Sequence, residues 1–243
     1  MTEAVEKTGN GAILYDTDLL DHVSERTFSA SAWKTVKPVE SALRSGGRGY
    51  TIIVGDGKRE FVLRHFRRGG LVGRVIRDSY VWRGEDLTRS FSEWRLLRKM
   101  LRLGLPVPQP VVARYCRRGP FYSADLIMLR IQGIKPLSMR LAELRRDAGY
   151  WQSVGAGIAR FHRAGVNHAD LNAYNVQLEE DGKLWLLDFD KGRIEAAGAW
   201  QQRNLGRLHR SLQKVRKLDP RIYFTPDDWE ALLEGYFQAS RSA

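Results

Sequence analysis

Cysteine is almost absent from this sequence, since Cys116 is the one example in 243 residues. An intrachain disulfide is therefore excluded, and nothing in the composition points to an oxidising compartment. The N-terminal residues include Glu3 and Glu6 and lack a basic segment followed by an apolar run, which argues against a signal peptide. No uncharged stretch approaches the roughly 20 apolar residues that a membrane-spanning helix needs. We therefore expect a soluble protein in a reducing cytoplasm.

Acidic residues are scarce relative to basic ones. The chain carries 40 Lys and Arg against 28 Asp and Glu, which gives a formal net charge of +12. Such a charge favours anionic partners, namely nucleotides, nucleic acid or an anionic membrane surface. No zinc-finger, RNP or helix-turn-helix pattern is present, so we expect no nucleic-acid partner. The length and the 43% of hydrophobic residues fit one domain of two lobes, or two small domains.

The first half of the sequence is rich in predicted strands. Runs of β-branched and aromatic residues alternate with turn-forming residues, and Gly55-Asp56-Gly57 is typical of a tight hairpin. Residues 1–10 are polar and are expected to be mobile. A short helix with Ser29 as its N-cap is predicted over 29–34, and a longer one over 88–103. The predicted strands are 11–15, 50–54, 61–66, 111–116 and 124–131.

The second half is predicted to be mostly helical, because apolar residues recur there at helical spacing. The predicted helices are 151–165, 199–217 and 226–240, and the predicted strands are 176–178 and 184–189. Pro136 follows the last strand of the first half and is a reasonable boundary. We therefore predict an α+β fold of two lobes, with a strand-rich N-terminal lobe (1–135) that has one main helix and a mainly helical C-terminal lobe (136–243).

Two short motifs in the second half carry groups suited to phosphoryl transfer. The segment from His168 to Asn175 has the form H-x-D-L-x-x-x-N, and Asp188-Phe189-Asp190 follows an apolar run. Phosphoryl transfer needs a carboxylate near the acceptor hydroxyl, ligands for Mg²⁺, and positive charge on the phosphates. Asn175 and Asp188 offer the hard oxygen ligands that Mg²⁺ prefers. The alternative interpretation is that these residues are solvated loop residues between two strands.

These motifs resemble the catalytic and metal-binding loops of the protein-kinase-like superfamily. The resemblance implies a two-lobed kinase-like fold that uses ATP and Mg²⁺. It also implies that Asp170 is the catalytic base, that Asn175 and Asp188 are metal ligands, and that His168 is a structural member of the loop. By the same resemblance, the N-terminal lobe lies on the nucleotide-phosphate side and the C-terminal lobe carries the catalytic and metal loops.

The phosphate-binding end of the pattern is less regular. A glycine-containing segment stands where a kinase has its glycine-rich loop, and its expected cofactor-binding residues are Gly46, Gly47, Arg48 and Gly49. Arg64 replaces the phosphate-contacting lysine of the superfamily, and Glu93 on the following helix is its expected partner. Lys58, in the hairpin turn, is a weaker candidate for the phosphate role. The alternatives are an ordinary hairpin turn for the glycines and surface charges for Arg64 and Glu93.

Two departures from the protein-kinase pattern bear on the acceptor. Asp190 stands where protein kinases have glycine, and the next predicted helix begins within about ten residues. No A-P-E motif is present, and there is no room for a long activation segment, which in protein kinases helps to bind a peptide. A small-molecule acceptor is therefore favoured over a protein.

More specifically, the chain resembles the lipopolysaccharide-core kinases of Gram-negative bacteria over roughly residues 11–240. The segments that carry this resemblance are 46–49, 62–71, 167–175, 188–191, 204–205 and 207–208. The resemblance implies ATP-dependent phosphorylation of 3-deoxy-D-manno-octulosonic acid (Kdo), at its 4-hydroxyl, on Kdo-lipid A precursor. It also implies a peripheral protein at the cytoplasmic face of the inner membrane, and it predicts no protein partner. A heptose, an aminoglycoside-like antibiotic or a protein serine remain alternative acceptors, and an inactive nucleotide-binding scaffold remains an alternative function.

Basic residues cluster in two places. The first cluster lies on one face of the predicted 199–217 helix and consists of Arg203, Arg207, Arg210, Lys214 and Lys217. The second consists of Arg67, Arg68, Arg74 and Arg77. We expect these clusters to guide the protein to an anionic membrane or an acidic glycolipid, although a merely solvated surface is the alternative. Trp94 and Trp151 are expected in the core, and Trp82 is considered for substrate contact.

Overall fold

The computed structural model describes residues 2–39, 50–67 and 78–241. The chain divides into two compact units. The first unit is Met1–Arg98 with Pro108–Ile131, and the second is Lys99–Val107 with Gln132–Ala243. The predicted lobes 1–135 and 136–243, with their separate roles in nucleotide binding and catalysis, stay a prediction.

The first unit is built on one antiparallel sheet, which has eight strands among the described residues. These strands are β1 Glu3–Thr8, β2 Gly11–Asp16, β3 Thr35–Pro38, β4 Tyr50–Gly55, β5 Glu60–His65, β6 Tyr80–Val81, β7 Pro110–Arg118 and β8 Phe121–Leu129. Their order is β1-β2-β7-β8-β5-β4-β3, and β6 pairs with β8. β5 is thus an interior strand, hydrogen-bonded to β4 on one side and β8 on the other. The hairpin predicted between 50–54 and 61–66 is confirmed.

The prediction that residues 1–10 are mobile is wrong. Glu3–Thr8 forms β1, which pairs with β2 along its whole length from Glu3↔Asp16 to Thr8↔Gly11. Charged side chains also hold it, because Lys7 bonds Glu85 and Arg98 bonds Glu3. The polar composition therefore marks an exposed edge strand rather than a free terminus.

The helix predicted over 29–34 is also wrong in detail. Two 3₁₀ segments take its place, Glu25–Phe28 and Ala30–Ala32. Ser29 precedes the second segment without a side-chain cap, and its hydroxyl instead contacts that of Ser31 at 2.8 Å. A longer helix is not needed here, because the first segment buries only Phe28 against the sheet and the second buries no residue.

Helix α1, Arg89–Arg102, confirms the prediction over 88–103. Its buried face consists of Phe91, Trp94, Leu97 and Met100, so the core position expected for Trp94 is correct. The helix ends before Gly104, whose φ of 70° lies in the left-handed region that glycine adopts without strain.

The second unit is mainly helical. Its helices are α2 Leu137–Glu143, α3 Ala148–Arg163, α4 Trp200–Leu218 and α5 Pro226–Arg241. Its short strands are β9 Lys135–Pro136, β10 Val166–Asn167, β11 Val176–Leu178, β12 Leu184–Leu186 and β13 Arg193–Ile194. The α+β content and the three long helices predicted here are confirmed. No helix in the described ranges has the length and apolar character that crossing a bilayer requires.

Close packing of α3 on α5 depends on two glycines. A Cβ atom on Gly155 would collide with the backbone carbonyl of Leu232, and one on Gly235 would collide with the backbone of Gln152. Each helix therefore uses a missing side chain to let the other backbone approach. Trp151 is buried on α3, as predicted.

Candidate active site

The segment between β10 and β11 is a loop shaped by Asn172. The side-chain oxygen of Asn172 accepts the backbone N–H groups of Tyr174 at 2.9 Å and Asn175 at 3.0 Å. Its amide nitrogen donates to the backbone carbonyl of Asp170 at 3.0 Å and to the Asp170 carboxylate at 3.2 Å. One asparagine side chain therefore replaces the backbone pairing that a helix or strand would provide.

A closed ring of four hydrogen bonds joins the two predicted motifs. The N–H of Asp170 donates to Nδ1 of His168, and Nε2 of His168 donates to the carbonyl of Leu187. The N–H of Leu187 donates to the carbonyl of Asn175, whose side-chain amide donates to the carbonyl of Asp170. These bonds are 2.9 to 3.1 Å long. The structure thus brings Asp170, Asn175 and Asp188 together.

Asp188 follows β12 in an unusual backbone conformation. Its φ of 62° lies in the left-handed region, which a residue with a Cβ rarely occupies. The next side chain, Phe189, is buried with its ring centroid 4.7 Å from that of His168 and 6.4 Å from that of Phe161. This turn leaves Asp188 exposed while Phe189 enters the core. Burial of Phe189 therefore fixes the backbone position of the neighbouring residue Asp188.

His168 is held in its neutral form. Complete burial lowers the pKa of His168 below its usual value, although the Leu187 carbonyl and the nearby Asp188 act in the opposite direction. Because Nδ1 accepts the N–H of Asp170, the single ring proton sits on Nε2. His168 therefore connects the two loops and is not placed to exchange protons with solvent. This agrees with the structural role that the resemblance implied.

Helix α4 holds the same loop from the other side. Asn204 accepts the backbone N–H of His168 at 3.1 Å, and the hydroxyl of Ser211 accepts the N–H of Ala173 at 3.1 Å. Between them Arg207 points Nη1 at Oδ1 of Asp170, at 3.4 Å. Positions 204, 207 and 211 lie on one side of a helix, because side chains three and four residues apart are neighbours. One helix face thus contacts the loop at three successive points.

Sequence reasoning did not assign structural roles to three of these residues. Asn172, Asn204 and Ser211 shape or hold the loop, yet none was singled out for that role. A signal was present for Asn204, since α4 is otherwise apolar at its buried positions and a buried Asn must find hydrogen-bond partners. The buried positions Leu205, Leu208, Leu212 and Val215 agree with the apolar face that helical spacing predicts.

The predicted pair of Arg64 and Glu93 is present in the first unit. Arg64 lies on β5, Glu93 lies on α1, and the guanidinium donates to the carboxylate. The Glu93 side chain is 2% exposed and that of Arg64 is 14% exposed. The guanidinium also lies over the Phe66 ring, 4.4 Å from its centroid. The two residues are thus a buried ion pair and not surface charges.

The other predicted site residues belong to the first half of the chain. Gly46, Gly47, Arg48 and Gly49 lie outside the described residues, as do Arg68, Arg74 and Arg77. Lys58 lies in the β4–β5 turn, where its N–H donates to Asp56. Trp82 packs against Tyr115 and Tyr122, with Arg117 over its ring, so these contacts account for much of its surface.

Comparisons with known proteins agree with the motifs. A family model described as the lipopolysaccharide kinase (Kdo/WaaP) family matches residues 32–236. Relatives named 3-deoxy-D-manno-octulosonic acid kinase, from Xanthomonas campestris pv. campestris (strain B100) and Stenotrophomonas maltophilia (strain K279a), are each 44% identical over 218 residues, which cover 89% of this chain and 86% of the relative.

The fold comparison points the same way. A solved structure described as "WaaP in complex with acyl carrier protein" superposes with a TM-score of 0.56 and 18% identity. The match covers 87% of this chain and 82% of that one. A likeness at this identity shows the fold, so the predicted α+β, kinase-like architecture is confirmed.

Proposed function

Because the chain belongs to the lipopolysaccharide kinase (Kdo/WaaP) family, we propose that it is an ATP-dependent Kdo kinase. Its acceptor is a Kdo hydroxyl, at position 4, on Kdo-lipid A precursor, and its pathway is lipopolysaccharide inner-core biosynthesis. One observation carries the proposal: the ring of hydrogen bonds that ties Asp170 and Asn175 to the residue before Asp188. Phosphoryl transfer depends on such positioning more than on covalent chemistry by the protein.

Asp170 acts as the base in this proposal. Its carboxylate is exposed, while its own N–H and carbonyl are bonded to His168, Asn172 and Asn175. The acceptor hydroxyl oxygen forms a bond to the γ-phosphorus of ATP as the bond from that phosphorus to the β,γ-bridging oxygen breaks. The hydroxyl proton passes to Asp170 and ADP leaves. The loop positions Asp170 through these hydrogen bonds to its backbone N–H and carbonyl.

Asn175 and Asp188 would hold Mg²⁺. The residues fit this ion, because the amide nitrogen of Asn175 is directed to the Asp170 carbonyl and its oxygen therefore faces the other way. Asp188 adds one exposed carboxylate, and Mg²⁺ typically takes one or two carboxylates together with substrate phosphates. When bound, the ion would supply positive charge that offsets the negative charge of the phosphates.

Arg64 takes the phosphate-contacting role in this proposal, and Glu93 keeps its guanidinium in one orientation. The ion pair and the Phe66 ring together restrict the arginine side chain, so little freedom is lost when it meets a phosphate. Gly46, Gly47, Arg48 and Gly49 are proposed to contribute backbone N–H groups to the same phosphates.

We place the protein in the cytoplasm, as a peripheral protein on the inner face of the inner membrane. The α4 cationic face, Arg203, Arg207, Arg210, Lys214 and Lys217, is exposed along the helix, and Arg67 is exposed in the first unit. Each basic residue near an anionic surface contributes about 1 kcal/mol, and salt screens that attraction. Binding to anionic vesicles and turnover of the lipid acceptor should therefore fall as ionic strength rises. Unchanged binding at high salt would contradict this localisation.

The proposed activity is tested by phosphate transfer from γ-labelled ATP with Mg²⁺. Kdo-lipid A precursor, a heptose-containing core and a generic protein are offered side by side. We expect label on the Kdo lipid, with its loss in Asp170→Ala and Asp188→Ala. Asp181→Ala is the matched control, since Asp181 is an exposed acid in the β11–β12 turn whose carboxylate accepts the N–H of Lys183. Phosphorus NMR of the product then identifies the hydroxyl.

The other outcomes change the proposal in defined ways. Label on the heptose core alone would keep the kinase and replace the acceptor. No label on any acceptor, despite measured ATP binding, would favour the nucleotide-binding scaffold. Full activity in Asp170→Ala or Asp188→Ala would overturn the assignment of that residue.

A further inference from the structure

Arg207 occupies the point where the α4 cationic face meets the catalytic loop. It lies between Asn204 and Ser211, both of which bond the loop backbone, and its Nη1 is 3.4 Å from Oδ1 of Asp170. The other four members of the α4 cationic face are also exposed. Arg207 is therefore the member that reaches the proposed base.

The ion pair with Asp170 contributes too little stability to account for an arginine at position 207. The two side chains are 49% and 60% exposed, and an ion pair this open contributes about 0 to 1 kcal/mol to stability. The loop is already held by Asn204 and Ser211, so Arg207 is not needed to shape it. In the described part of the chain, Asp170 is the one polar partner of the Arg207 guanidinium.

Most N–H donors of the Arg207 guanidinium are therefore available to another partner. Arginine carries five N–H groups in a planar fork, and the contact at 3.4 Å engages one nitrogen at long range. Such a fork matches the two oxygens of a carboxylate, with two parallel hydrogen bonds. A carboxylate that arrives beside Asp170 would therefore find a cation with matching geometry, half open to solvent.

The proposed acceptor is such an acid. In Kdo the carboxyl carbon and the carbon that bears the 4-hydroxyl are separated by two carbons, so one sugar can reach two neighbouring protein groups at once. Resting on the proposed function, we infer that Arg207 binds the acceptor carboxylate while Asp170 accepts the proton of the hydroxyl. A neutral sugar, such as a heptose, lacks the group that Arg207 recognises. Arg207 thereby selects an acidic acceptor.

The assignment is tested by removing the positive charge of Arg207 and, separately, the negative charge of the Kdo carboxylate. Steady-state kinetics are measured for wild type, Arg207→Gln, Arg207→Lys and Arg216→Gln, with the acceptor dispersed in neutral detergent micelles. The acceptors are Kdo-lipid A precursor and the same lipid with its Kdo carboxylate converted to the methyl ester. Arg216 is the control because it is an exposed arginine of α4 outside the cationic face. Thermal unfolding of each variant checks the fold.

We expect Arg207→Gln to raise KM for the acid acceptor about tenfold or more, since a charge-assisted pair is lost. It should leave KM for ATP unchanged, and it should lower activity on the ester much less than activity on the acid. Arg207→Lys should recover part of the loss, and Arg216→Gln should stay within about twofold of wild type for both acceptors.

Two results would overturn the inference. One is an equal fall of kcat on acid and ester, with or without a higher KM for ATP, because Arg207 would then act on the phosphates or on Asp170. The other is a KM for the acid acceptor that does not change in Arg207→Gln. Failure of the proposed function itself looks different, since wild type would then transfer phosphate to neither form of the Kdo lipid.

Discussion

The side-chain amide of Asn175 donates a hydrogen bond to the backbone carbonyl of Asp170 at 2.9 Å. This bond fixes the orientation of the amide, because the nitrogen must face the carbonyl. The oxygen then faces the opposite side, where a metal ligand is needed in the proposed reaction. One bond thus links the residue proposed as base to a residue proposed as ligand, and it makes their positions interdependent.

Replacing Asn175 by Asp should separate the two roles of this side chain. Asn175→Asp keeps oxygen atoms for Mg²⁺ but removes the donor and sets a carboxylate against the Asp170 carbonyl. We expect kcat to fall by about tenfold or more, because a hydrogen bond to the Asp170 carbonyl is replaced by repulsion. Initial rates across a Mg²⁺ titration provide the measurement, with Asp181→Ala as control. Wild-type turnover in Asn175→Asp would show that the donor is dispensable.

Asn204 should matter for stability as well as turnover. Its oxygen accepts the N–H of His168 and its nitrogen donates to Asn167, both at buried positions. Asn204→Ala leaves these groups unpaired, and we expect the free energy of unfolding to fall by about 2 to 4 kcal/mol. Urea unfolding gives this value, and the exposed Gln202→Ala in the first turn of α4 is the control.

A smaller loss in Asn204→Ala, equal to that in Gln202→Ala, would mean that water replaces the asparagine. The loop would then be held by Ser211 and the hydrogen-bonded ring alone.

Acid should destabilise the second unit through His162. Burial lowers the pKa of His162 to about 4 from an ordinary value of 6.5, and its Nδ1 lies 2.9 Å from the Tyr236 hydroxyl. Between these two values the unfolded chain binds a proton that the folded chain does not. Stability is therefore complete above pH 6.5 and falls as the pH drops toward 4, by about 3 kcal/mol in total. Burial lowers the pKa of His168 as well, which acts in the same direction.

The measurement is urea unfolding of wild type and His162→Gln at a series of pH values from 7.5 to about 4.5. The glutamine cannot take up the proton, so the difference in stability between the two proteins should shrink as the pH falls. A difference that stays constant across the series would show that His162 is not the group responsible.

Removing Arg64 should destabilise the protein, because the buried carboxylate of Glu93 loses this ion-pair partner. Glu93 is 2% exposed and Arg64 is its ion-pair partner, so Arg64→Ala should lower the free energy of unfolding by about 3 to 5 kcal/mol. Arg64→Lys should lose less, because a positive charge remains. Arg59→Ala in the adjoining turn is the control, since its pair with Asp56 is open to solvent and contributes about 0 to 1 kcal/mol.

Equal unfolding free energies for Arg64→Ala and Arg59→Ala would contradict this account of the pair. In that event another group would compensate the charge of Glu93, and the proposed role of Glu93 in orienting Arg64 would fail.

Much of the architecture could be predicted from local pattern. The helices over 88–103, 199–217 and 226–240 have apolar residues at helical spacing, and they agree with α1, α4 and α5 within one or two residues. The strand pair around Gly55-Asp56-Gly57 was predictable because turn residues stand between two β-branched runs. Residues 3–8 were not, because a polar edge strand is stable only through the partner strand and the ion pairs that it meets after folding.

The sequence by itself determined which groups are available: a carboxylate at Asp170, oxygen ligands at Asn175 and Asp188, a cationic face on α4, and the family resemblance that these motifs carry. The tertiary structure decided which of these groups contact one another. The ring through His168 and Leu187 and the reach of Arg207 to Asp170 connect residues far apart in the chain. Side-chain spacing within one element follows from backbone geometry, whereas contacts between elements depend on how those elements pack, which no local pattern records.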